Sequence, residues 1–107
     1  MTPGEMQERL KQFALRAVRL AVSFEPGPVG NVVGGQLIRA ATGAAANYRA
    51  ACLARSKRDF VNKLGIVLEE ADESVFWIDF SVDAGLKERR ACRTAAERRT
   101  GDCSNYG

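Results

Sequence analysis

The chain contains no histidine. That absence removes the commonest general base, the commonest zinc ligand and every nucleophile that depends on an imidazole. Cysteine is scarce too. Cys52, Cys92 and Cys103 are odd in number and widely spaced, with no C-x-x-C pair. They read as free thiols of a reducing, cytoplasmic compartment rather than as a disulfide framework or a metal site. No stretch approaches the roughly 18 consecutive apolar residues of a membrane span. Residues 1–10 carry Glu5, Glu8 and Arg9 and hold no apolar signal-peptide core. These absences point away from an enzyme, a resident cofactor and a membrane partner. What is present is ordinary for one globular domain: 107 residues, 46% hydrophobic and 27% charged. Sixteen Lys and Arg against thirteen Asp and Glu leave a net charge of +3. Such a mild excess permits a nucleic-acid partner without demanding one.

Apolar periodicity divides the chain into four segments. Over residues 4–24, Leu10, Phe13, Ala14, Ala17, Ala21 and Phe24 recur at three- and four-residue steps, the pattern of an amphipathic helix. Pro26, Gly27 and Pro28 end it. A second helix is expected from the N-cap residue Asn31 to Ala54. Its buried face would hold Val33, Leu37, Ala40, Ala41, Ala44, Asn47, Tyr48, Ala51 and Cys52, with Arg39, Thr42, Ala46 and Arg49 opposite. Small residues dominate that face, so another helix can approach closely. Gln36 and Asn47 read as buried hydrogen-bonding residues that set helix register.

The third helix, expected over 57–84, starts at a near capping box, Ser56-Lys57-Arg58-Asp59, and stops at Gly85. Val61, Leu64, Leu68, Ala71, Val75, Ile78 and Val82 form an unbroken heptad seam along it, the expected core. Ile66, Phe76, Trp77 and Phe80 cluster on the opposite side, which predicts a second partner surface and a homo-oligomer. A short fourth helix is expected over 86–100, with a disordered tail at 101–107. After Leu86 the chain has no Val, Ile, Leu, Met, Phe or Trp, so Ala91, Cys92, Ala95 and Ala96 are its only core material.

Two stretches carry a resemblance. Residues 35–48, from Gly35-Gln36-Leu37-Ile38-Arg39-Ala40-Ala41 through Asn47-Tyr48, resemble the first signature of the "four helix bundle protein" family. Ser56-Lys57-Arg58-Asp59-Phe60 with residues 68–78, from Leu68-Glu69-Glu70-Ala71 through Trp77-Ile78, resemble the second. Members are encoded in intervening sequences of bacterial 23S ribosomal RNA genes. The accessory variability determinant of diversity-generating retroelements is similar to them. The resemblance implies an antiparallel up-down four-helix bundle, often a homopentameric ring, without catalytic activity. For the retroelement relatives it also implies binding to nucleic acid and to a reverse transcriptase. Family members usually carry a leucine-rich fourth helix, whereas Arg89, Arg90, Arg93, Arg98 and Arg99 stand here in an Ala/Thr background. The expected architecture is therefore a single all-α domain over 1–107, with a short or weakly packed fourth helix, assembled as a ring.

Charge is segregated along the chain. Between Arg39 and Lys63 lie six bases and one acid; between Ile66 and Gly85 lie six acids and no base. Arg49, Arg55, Lys57, Arg58 and Lys63, extended by Arg16 and Arg19, are the candidate contacts to an RNA or DNA backbone. Phe60 is the one aromatic within the basic run, so base stacking is not indicated. Glu69, Glu70 and Glu73 lack the histidines of a di-metal bundle and are expected to pair across a helix interface with Arg39 or Arg49. A non-enzymatic oligomeric adaptor for nucleic acid and a protein partner is the leading expectation. A pure assembly module is the competing one.

Overall fold

The computed structural model describes residues 1–87, which form three α-helices and no strand. Helix α1 spans Pro3–Val22, α2 spans Pro28–Cys52 and α3 spans Lys57–Asp83. The expected fourth helix and the tail lie outside the described residues, apart from Leu86 and Lys87.

Local chemistry sets each boundary. Thr2 caps α1 with a full capping box: its hydroxyl accepts from the Glu5 amide, and the Glu5 carboxylate accepts from the Thr2 amide. α2 begins three residues before the expected Asn31. Pro28 takes the first helical position, where its missing N–H would have had no partner anyway. Gly27, at a φ of 137°, supplies the turn into it, a conformation open to glycine. Ser56 caps α3 by accepting from the Asp59 amide at 3.1 Å. At the far end the Leu86 amide donates to Ser81 and the Gly85 amide to Val82, with Gly85 at φ 70°: a Schellman motif. The Glu25 amide then donates to the Leu86 carbonyl at 3.0 Å. This bond ties the α1–α2 turn to the end of α3 and brings Phe24 and Leu86 into one core.

α2 is the central helix. α1 packs on one side of it and α3 on the other, and α1 and α3 do not approach each other. Leu37, Ala40, Ala41 and Ala44 are completely buried, as are nearly all of Val33 and Ala51. Gly30 keeps the start of α2 close to the α1–α2 turn, and Gly34 keeps it close to α1. A Cβ on Gly30 would overlap the Glu25 carbonyl, and one on Gly34 would meet the Ala21 carbonyl oxygen at 3.4 Å.

The rotation of α3 differs from expectation. Its buried residues are Val67, Ser74 and Ser81, not the heptad seam. Val61, Leu68 and Val75 are 56%, 66% and 52% exposed, while Leu64, Ala71, Ile78 and Val82 are half-buried. The true contact line runs one residue earlier in each heptad, which is a rotation of about 100° about the helix axis. Alanines on α2 leave room for a very close approach, and serine is the residue small enough to meet them. The Ser74 hydroxyl donates to the Glu70 carbonyl and the Ser81 hydroxyl to the Ile78 carbonyl, so neither leaves a buried donor unmet.

Candidate functional site

Three surfaces of the described residues carry the candidate contacts. The first is the turn between α2 and α3, where Arg55, Lys57 and Arg58 are exposed. Ser56 opens α3 between them, so their charges adjoin the positive end of that helix's dipole. Lys63 is differently placed. Its ammonium reaches both oxygens of Asp59 at 2.7 and 2.8 Å, and this hydrogen bond draws the Asp59 carboxyl below its ordinary pKa. Arg49 is exposed but faces α1, lining a groove with Gly4, Glu8 and Lys11. Arg16 and Arg19 lie eight and eleven residues beyond Glu8 along α1. At 1.5 Å per residue that is about 12 and 16 Å further along the helix axis, and neither lines the groove. The seven basic residues singled out from the sequence thus form a compact trio at the turn with the other four set apart.

The second surface is the flank of α3 that carries Ile66, Phe76 and Phe80, which are 42%, 54% and 41% exposed. Trp77 does not share that exposure. It turns inward and packs against the core cluster, with Phe76 edge-on to it at 4.8 Å and Phe80 at 5.7 Å between ring centroids. The Trp77 Nε1–H is buried and has no acceptor among the described residues. Glu70 and Glu73 lie on the same side of α3. Arg39 joins them to α2, its guanidinium reaching Glu73 Oε1 at 2.6 Å and Glu70 Oε2 at 3.4 Å. Gln36 Oε1 accepts from Arg39 Nε and orients it. Asn47 donates instead to the Gly43 carbonyl of its own helix, so it does not cross between helices. Glu69 is exposed and has no ion-pair partner among the described residues.

The third surface is the groove between α1 and α2, with a volume of about 480 Å³. Its floor is Ala14, Ala45 and Ala46, its wall Leu15 and Val18, and its rim Lys11, Arg49 and Glu8. Sequence reasoning missed it, because a groove is a property of two helices rather than of either one. The small residues facing each other at Ala14 and Ala45 were the available signal.

No family model, no curated protein and no solved structure matches the chain. Among the described residues no three potential metal ligands converge, and no helix is long and apolar enough to cross a membrane. Cys52 is a half-buried free thiol beside Tyr48. Partial burial, and then that neighbouring sulfur, push the Tyr48 phenol above its usual pKa.

Proposed function

We propose that the protein is a non-enzymatic oligomeric adaptor that binds a nucleic-acid backbone through the α2–α3 turn and a protein partner elsewhere. The observation that carries this reading is the trio Arg55, Lys57 and Arg58, exposed around the positive end of α3, where the one acid, Asp59, is taken up by Lys63 and the other six acids of the helix lie at residues 69–83. A backbone binder needs fixed positive charge at phosphate spacing and no base-reading geometry. The resemblance to the four helix bundle protein family supports the same reading and extends it to a reverse transcriptase as partner. It also supports a bundle completed by residues 86–100 as a fourth helix, and a ring of several copies. The test is binding to RNA and DNA across a salt series. Affinity should fall steeply with salt, and replacing Arg55, Lys57 and Arg58 by Gln should weaken all sequences about equally and flatten the salt slope. Absence of binding at low salt overturns the nucleic-acid role.

The alternative, an assembly module without nucleic acid, is favoured by one observation of its own: the exposed aromatic flank of α3. Apolar patches of that kind mark interaction surfaces.

A further inference from the structure

The aromatic flank of α3 cannot meet its own copy well. Between residues 66 and 85 the chain has six acids and no base. An isologous contact, in which one patch meets the same patch turned by a two-fold axis, would set this acidic half of α3 against its own copy. Like charges across an interface cost free energy instead of contributing it. The flank therefore fits a surface that is apolar, recessed and basic.

The same chain carries one. The charged residues that line the α1/α2 groove are Lys11, Arg49 and Glu8, two bases to one acid. Leu15 is 40% exposed and lines the groove over a floor of alanines, with Lys11 and Arg49 at the rim. Small residues on the floor leave space for large ones from outside, and Phe76 and Phe80 are the large residues that α3 presents outward. We infer that the Ile66–Phe76–Phe80 flank of one copy docks into the α1/α2 groove of a second copy, head to tail, with Glu69 against Lys11 and Arg49. This rests on the oligomeric reading above and adds to it the surface that receives α3. A head-to-tail contact repeats from copy to copy, closing into a ring when the rotation allows.

Complementation tests the pairing. The parent chain should sediment as an assembly at micromolar concentration. A Phe76→Ser/Phe80→Ser variant lacks the inserting face, and an Ala46→Trp variant, changed at an exposed position on the groove floor, blocks the receiving one. Each alone should run at the 11.7 kDa of a single chain with helix content unchanged by circular dichroism. Mixed in equal amounts they should form a species of twice that mass and nothing larger, because one good groove meets one good flank and propagation stops. Should Ala46→Trp perturb the fold, Arg49→Glu serves in its place, with recovery expected when Glu69→Arg is introduced on the inserting partner. If the groove variants assemble like the parent while the Phe variant does not, α3 meets another surface: the groove inference is overturned and the oligomer stands. A mixture that stays at single-chain mass also overturns the inference. A parent chain that is itself monomeric at about 100 μM overturns the oligomeric reading and the groove inference together.

Discussion

Helices α2 and α3 lie against each other along most of their lengths, yet they make the contact with different chemistry. α2 contributes alanines, with Ala40, Ala41 and Ala44 completely buried. α3 answers with Val67, Ser74 and Ser81 and keeps most of its large aliphatic residues at the flanks. The lesson concerns what a helix contact selects for. Where two backbones come close, the residues at the line of contact must be small, and small residues are as often polar as apolar. In α2 the small residues happen to be alanine, so hydrophobic periodicity and contact line coincide. In α3 they are serine, so the two separate by one residue. The apolar area set aside at Leu68 and Val75 is offset by the dispersion gained from dense packing and by the ion pairs of Arg39 at the edge.

The largest test of this contrast is Leu37→Ala. Leu37 is completely buried, and truncation of such a residue costs about 2–5 kcal/mol. Chemical denaturation should register it as a lower midpoint at unchanged slope. Ser74→Leu comes next. A larger side chain at the closest approach must push the helices apart, and overpacking of this kind costs about 1–3 kcal/mol. If Ser74→Leu instead stabilises the protein, the contact is looser than described and the polar residue was a compromise. Ser74→Ala, by contrast, should be nearly neutral, since its hydroxyl bonds only to its own helix.

Leu68→Ala should cost about 1 kcal/mol or less, in line with a surface position, although the heptad pattern alone predicts 2–5 kcal/mol. A loss as large as that of Leu37→Ala would mean that residues 88–107 cover the seam. The smallest effect is expected at Asp59, whose carboxyl pKa is lowered by its bond to Lys63. A lowered folded-state pKa makes the carboxylate stabilising above the unfolded value of about 3.9. That contribution disappears as pH falls through the folded pKa. The small difference in Tm between the parent and Asp59→Asn at pH 7 should therefore close on acidification below about pH 4. A gap that persists there would assign the effect to helix capping rather than to charge.

Much of the molecule was legible before any coordinates. Ser56 is a strong cap, Gly85 is a natural stop, and the expected face of α2 is buried at Val33, Leu37, Ala40, Ala41, Ala44 and Ala51, with Asn47, Tyr48 and Cys52 half-buried. These follow from backbone hydrogen-bonding demands and from a 3.6-residue period, which act within a single segment. The start of α2 was misplaced because a proline both ends one helix and opens the next, and the two uses look alike in one dimension. The pairing of Arg39 with Glu70 and Glu73 was within reach because opposite charges on neighbouring helices have few other places to go. The three-way assignment among Glu69, Glu70 and Glu73 was not, since it depends on rotation.

Rotation is what the tertiary structure alone decided. A helix with apolar residues on both flanks can bury either one or neither fully. The choice depends on the shape of the surface it meets, here the flat alanine face of α2. That choice sent Trp77 inward and left Phe76 and Phe80 outside. The amino-acid order sets which residues share a helix face. Which face becomes interior is a matter of fit between two surfaces, and fit is decided by the volumes of residues far apart in the chain.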